Sequence, residues 1–280
     1  VPEPETAHRI GVRVVDGVGE FHDRRTGERF VPRGCNYIRL APMSKTNPGL
    51  YERERAQAAL RAMHAAGYNV VRIFVDCCRE GNNAGDPKGG VSLPYLENVI
   101  DFLTRAKANE IYVLLVLDLT PAQGGYDEMW RHCCTTFDGE NLRYLTPGGH
   151  TGERHFNRDF VRDLIAEGGP LEAIFAFDLT NEVHFNVDRP PFSLTTGKVT
   201  TANGKTCDMS KAEDKQRMMD ENLVYWIDQQ RANILEVDPT ALVTVSFPAI
   251  NVGRTTVNPG PPSGNQQPTS STSTPTWDGG

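Results

Sequence analysis

The stretch Ile111–Leu119, IYVLLVLDL, carries a single charged residue and no alternation of apolar with polar side chains. A strand with one wet face alternates. A run this evenly apolar is covered on both faces, as in a parallel sheet lying between other layers. The neighbouring segments agree. Upstream, LPYLENVIDFLTRAKAN (Leu93–Asn109) has helical spacing with Pro94 in its first turn, and YNVVRIFVD (Tyr68–Asp76) is a second apolar strand. Before it, YERERAQAALRAMHAAG (Tyr51–Gly67) predicts a helix through Ala59, Leu60, Met63 and Ala66, stopped by Gly67, and RGCNYIRL (Arg33–Leu40) predicts the first strand of the series. Downstream, NRDFVRDLIAEGG (Asn157–Gly169) predicts a helix with Asn157 as its N-cap. AIFAFDLTNE (Ala173–Glu182) is a fourth strand, Asp214–Pro239 a long helix, and ALVTVSF (Ala241–Phe247) a fifth strand. Ahead of all of them, Val12–Pro32 holds short strands split by Asp-Gly and Thr-Gly turns, a small antiparallel hairpin.

Repeated strand-helix units imply parallel pairing, in an open doubly wound sheet or a (β/α) barrel. Loop lengths favour the barrel. The segments after the strands are long (residues 76–92, 120–156 and 183–209), those after the helices short, as in barrels whose sites are built at the strand C-termini. The Gly-x-Gly-x-x-Gly turn of a dinucleotide fold is absent after the first strand. The expected class is therefore α/β, a (β/α)8 TIM-barrel type that is incomplete, with about five barrel strands. Residues 1–32 form a lead and hairpin, 33–250 the partial barrel domain, and 251–280 a Pro/Ser/Thr/Gly-rich tail or loop. Five strands cannot close a barrel of the usual eight. The chain is expected either to be a fragment or to cover its open edges by loops or by self-association into a homo-oligomer.

A net charge of -7 over 280 residues argues against nucleic acid, and the longest apolar run is too short to cross a bilayer. The start, VPEPETAHR, reads as a mature or trimmed N-terminus. Six cysteines (Cys35, Cys77, Cys78, Cys133, Cys134, Cys207) are too few for a disulfide-built scaffold, though the adjacent pairs offer thiols for bridges between loops. His132 before Cys133 and Cys134 raises zinc, but no Cys-x-x-Cys spacing accompanies it, and no metal or cofactor is expected.

The fourth strand leaves the core through FDLTNEVHF (Phe177–Phe185), with Asn181 and Glu182 side by side. If the pleat holds, Asp178, Thr180 and Glu182 share one face. At the lip of a barrel a partly desolvated carboxylate beside an amide can hold a proton near neutral pH, as a general acid for glycoside cleavage must. The order RGCNYIRL, NVVRIFVD, LLVLDL, DLTNEVHF resembles the N-terminal half of a glycoside hydrolase family 5 enzyme, in the clan of (β/α)8 retaining glycosidases of cellulase and mannanase type. The resemblance covers about Val12–Phe247. It implies that Glu182 is the acid/base, that Asn181 contacts a sugar hydroxyl, that Arg72 orients a catalytic carboxylate, and that Asn36 and Tyr37 contact substrate.

Two features depart from that pattern. Asp118 and Thr120 stand where the family commonly places a histidine, and the strand that carries the nucleophile has no counterpart here. Asp178 would lie about 13 Å below Glu182 on an extended strand, beyond the ~5 Å that a retaining pair requires. Asp76, Asp118 and Glu128 remain conceivable substitutes, and Arg72 is alternatively an ion-pair partner of Asp76 or Asp118. Tyr126, Trp130 and Tyr144 are either sugar-stacking platforms or packing anchors. His184 lines the site or is solvated, and Trp226 belongs to the core. The resulting expectation is a retaining β-glycosidase, hydrolytic or transglycosylating, on glucan- or mannan-type sugars, and exported. The alternative is a carbohydrate-binding pseudoenzyme or a fragment lacking its nucleophile.

Overall fold

The computed structural model describes residues 8–37, 51–75, 84–118, 120–129 and 135–247. Asp76, Trp130, the Cys77-Cys78 and Cys133-Cys134 pairs, His132 and the tail from 251 onward lie outside the described residues. In chain order the elements are β1 (Ile10–Val15), β2 (Val18–Asp23), β3 (Gly34–Asn36), α1 (Arg53–Ala65), β4 (Val70–Phe74), α2 (Leu93–Ala108), β5 (Tyr112–Val116), α3 (Asn141–Leu145), α4 (Pro147–Ala166), β6 (Ile174–Asp178), β7 (Lys198–Thr200), β8 (Thr206–Asp208), α5 (Ala212–Val237) and β9 (Val243–Thr244). Among the described residues β3-β4-β5-β6-β9 form one parallel sheet in sequential order, leaving β3 and β9 at its edges. Hairpins β1–β2 and β7–β8 stand apart from it.

The sheet divides its side chains by parity. Val71, Ile73, Val113, Leu115 and Phe177 turn to the outer face and pack with Leu96, Val99, Phe102 and Leu103 of α2, Phe160 and Leu164 of α4, and Trp226 of α5. Full burial of such a side chain contributes about 1.5–3 kcal/mol, so the helical layer is the main source of cohesion. The inner face carries Arg72, Leu114 and Ala176 in register. A bulge between Val113 and Leu114 gives β6 one extra residue, Phe175. Phe175 packs edge-on against Phe21 of the hairpin with ring centres 5.0 Å apart, so β1–β2 caps the N-terminal end of the inner face with Val70, Ala176 and Leu242.

Two local expectations change. Helix α4 begins ten residues before Asn157. Thr146 is its N-cap, accepting from the Gly149 amide at 3.0 Å, and Pro147 opens its first turn. Asn157 lies buried in mid-helix and donates to Gln230 at 3.1 Å. The long segment 183–209 contains the β7–β8 hairpin, whose turn passes through Asn203 and Gly204 at a φ of 78°.

Candidate active site

The C-terminal edge of the sheet gathers the polar residues. Arg72, on the inner face of β4, reaches across to β6. Its guanidinium donates to Asp178 at 2.8 Å, to Asn181 at 3.1 Å and to Ser246 at 2.8 Å, and Asn36 on β3 lies 3.5 Å away. Asp178 is 1% exposed, and its Oδ2 also accepts from the Ser246 hydroxyl at 2.5 Å. Arg72 thus pairs with Asp178, whose side chain points inward from the last position of β6; the alternatives of Asp76 or Asp118 placed its partner on a neighbouring strand end. Arginine has donors only, so the Asn181 amide turns its oxygen to Arg72 and keeps its NH2 end for another acceptor.

Beyond Asp178 the pleat does not continue. Thr180 is buried, Asn181 half-buried and Glu182 exposed, with φ of 54° at Glu182. Positive φ is uncommon for a residue with a side chain and costs of order 1–3 kcal/mol. Two hydrogen bonds hold the chain on either side of it. The Asn181 amide donates to Asp118 Oδ1 at 3.1 Å, and the Val183 amide donates to the Ser246 carbonyl at 3.0 Å. Val183 itself is buried in the core. Glu182 is therefore the apex of a pinned turn. The expectation of a partly desolvated carboxyl hydrogen-bonded by the neighbouring amide is corrected on this point, because the Asn181 side chain is engaged by Arg72 and the turn carries Glu182 outward.

Asp118, two residues past β5, also has positive φ, at 41°. Burial pushes its carboxyl above the ordinary range, opposed by the Asn181 amide and by the charges of Arg143 and Arg72. Its own carbonyl accepts from Arg143 Nη2 at 2.6 Å. Arg143 on α3 is 3% exposed and donates to the Thr180 hydroxyl at 2.9 Å and to both oxygens of Glu153 on α4, itself 2% exposed. The Trp226 indole donates to Glu153 at 2.7 Å, closing a buried network under the strand ends.

The remaining candidates spread out. Asn36 is exposed at the mouth, whereas Tyr37 takes the opposite parity, packs on Phe102 at 5.5 Å and is 6% exposed. That burial pushes its hydroxyl up to about 12, so Tyr37 belongs to the helical layer and not to the mouth. His184 is exposed, its Nδ1 3.0 Å from the Glu182 carbonyl. Tyr126 is buried against Phe156 and bonded to Asp159, and Tyr144 is buried against Trp226 and Phe185. Both are packing anchors. Glu128 sits exposed on a short 3-10 turn after β5. Trp130 lies outside the described residues. No group of three or more His, Cys, Asp or Glu able to hold a metal occurs among the described residues, and none of their helices is long and apolar enough to cross a membrane.

Sequence reasoning missed Arg143, Glu153 and Ser246. No short motif surrounds Arg143 or Glu153, and their meeting depends on the α3–α4 junction. Asp178 was a visible signal, a carboxylate in an otherwise apolar strand, whose partner only the cross-strand register supplies.

No family profile and no curated protein matches the chain. Solved structures do. An exo-β-1,4-mannosidase from an Opitutaceae bacterium superposes with a TM-score of 0.51 at 19% identity, over 82% of this chain and 34% of that one. An endo-1,4-β-mannanase from Rhizomucor miehei gives 0.55 at 14% identity, over 81% and 58%, and an endocellulase from Pyrococcus horikoshii 0.50 at 15%, over 86% and 58%. The chain thus spans between about a third and three fifths of the length of these proteins. Over that span it shares the fold of these proteins, of (β/α)8 type.

Proposed function

We propose that the chain acts on β-linked glucan- or mannan-type saccharides as a retaining glycoside hydrolase, with Glu182 as acid/base and Asn181 and Arg72 in support. The observation that carries this reading is the pinned turn, which presents Glu182 at the C-terminal edge of a parallel sheet beside the Arg72–Asp178–Asn181 network. Such an edge is where folds of this kind hold their sites. On this reading Glu182 protonates the leaving oxygen of a glycan laid across that edge. The NH2 end of Asn181, left over by Arg72, suits a sugar hydroxyl. Asn36, 3.5 Å from Arg72, stands beside the same network.

The nucleophile is not assigned. Asp178 is buried and bonded to Arg72 and Ser246, and Asp118 holds the Asn181 amide. Because both nearby carboxylates are engaged, a second reading has support: a carbohydrate-binding chain without turnover. Aryl β-mannosides, aryl β-glucosides and β-1,4-linked oligosaccharides separate the two. Turnover lost at least a hundredfold in Glu182→Gln supports the acid/base. Turnover equal in both proteins removes that role, and saccharide binding with no turnover in the wild type favours the second reading. Transfer to a sugar acceptor, export, and association through the β3 and β9 edges extend the proposal. Product analysis, the location of the protein in its cells and light scattering address these in turn.

A further inference from the structure

We propose that Asp118, itself set in place by the buried Arg143, is the positioning residue for the Asn181–Glu182 turn. Three observations converge. The Asp118 carboxylate accepts the Asn181 amide at 3.1 Å, one residue before the left-handed Glu182. The Asp118 backbone is itself left-handed, an arrangement that aspartate tolerates better than most residues. One guanidinium ties the two strand ends together, donating to the Asp118 carbonyl at 2.6 Å and to the Thr180 hydroxyl at 2.9 Å. Arg143 cannot drift, since Glu153 and the rings of Tyr144 and Trp226 hold it on three sides, the rings at 5.3 and 5.5 Å. Two strained residues on adjacent strands, joined by one side-chain bond and one shared arginine, form a device that fixes direction. The surrounding contacts over-determine a conformation that neither segment would keep alone.

Asp118 touches no substrate in this scheme and acts through Asn181. Its consequence for turnover rests on the reading of Asn181 and Glu182 as the working pair; the geometric part does not. The charged groups facing it are Arg143 and Arg72, which lower its proton affinity, and Asp178, which raises it, while burial outweighs them all.

The test uses the full chain, 15N- and 2H-labelled, as wild type, Asp118→Asn and Asp118→Ala, with the Asn181 amide resonance as probe. In the wild type that amide is expected to shift with pH as the carboxylate titrates, and to exchange slowly. Asp118→Asn keeps an oxygen acceptor, so the amide stays protected but stops titrating. Asp118→Ala removes both properties. On a β-1,4-linked oligosaccharide, Asp118→Ala is expected to lower kcat at least tenfold with a smaller change in KM, and Asp118→Asn to restore most of it. An Asn181 amide indifferent to Asp118→Ala overturns the proposal, whereas a responsive amide with unchanged kcat upholds the positioning and counts against Asn181 and Glu182 as the working pair. If Asp118→Ala does not fold, titration present in the wild type and absent in Asp118→Asn upholds the contact, and its presence in both refutes it. A wild type without turnover counts against the glycosidase reading alone; the amide measurements still decide the positioning.

Discussion

Breaking the Arg143–Glu153 pair from either side is expected to destabilise the protein more than any other exchange of one polar side chain under the strand ends. Both side chains are almost fully buried, at 3% and 2% exposure. Removing one partner strands the other's charge in the core, at a cost of about 3–5 kcal/mol. Glu153→Gln keeps the volume and leaves the guanidinium with Thr180, the Asp118 carbonyl and a neutral amide. Arg143→Met leaves Glu153 with Trp226 alone and deprives the Asp118 carbonyl of its guanidinium donor. For a chain of this size 1 kcal/mol shifts Tm by about 2–4 °C, so each single variant should melt about 6–20 °C lower. The double variant Arg143→Met/Glu153→Gln contains no stranded charge, so its loss should fall short of the sum by about 2 kcal/mol. Urea unfolding followed by far-UV circular dichroism, with a common m for all four proteins, measures the cycle. Additive losses, within 0.5 kcal/mol, would refute the claim that these two charges stabilise the core jointly.

Gly149→Ala should destabilise by more than 1 kcal/mol despite alanine's better helix propensity. The new Cβ would meet the Leu142 and Arg143 carbonyls at 2.4 and 2.5 Å, where backbone must move; a Tm at or above wild type contradicts the tight α3–α4 junction. Asp118 has a raised folded-state pKa, so its contribution favours folding below the ordinary carboxylate range and is lost as pH rises through the raised value. Asp118→Asn should therefore gain Tm relative to wild type as pH rises above the ordinary carboxylate range, and a difference that does not change with pH argues against the burial effect. Glu182→Gly should stabilise by up to about 1 kcal/mol, because glycine adopts positive φ without strain; a lower Tm shows the left-handed turn to be wrong.

Periodicity made the sheet and the main helices legible. Val70–Phe74, Tyr112–Val116 and Ile174–Asp178 fall inside the predicted strands, and α1, α2 and α5 match their predictions within two residues. Those segments are long, apolar on a fixed period and bounded by turn residues, so local signal and tertiary packing agree. Pro147-Gly148-Gly149 fell inside the segment 120–156 that read as a loop. Yet Thr146 followed by proline is an N-cap signature, and Gly149 is required where α3 crosses close. The Asn203-Gly204 pair in the turn between β7 and β8 was likewise a readable hairpin signal. What no local pattern carries is which strand-end polar groups meet. Arg72 joins Asp178 across 106 positions and Ser246 across 174, contacts that follow only from the register of the folded sheet.

Glu182 combines exposure with a backbone held from two sides, and the energies account for it. Left-handed φ opposes the turn by about 1–3 kcal/mol. Burial of Val183 contributes about 1.5–3 kcal/mol, and each flanking hydrogen bond about 0.5–1.5 kcal/mol net. Val183 burial alone is of the size of the strain, and the two hydrogen bonds, from Asp118 at the end of β5 and the Ser246 carbonyl in the continuation of β9, add a margin and fix the direction of the turn. A carboxylate placed by core packing alone would tolerate loss of either neighbour. This one is aimed by the two strands that flank β6, so its direction depends on the sheet being assembled on both sides.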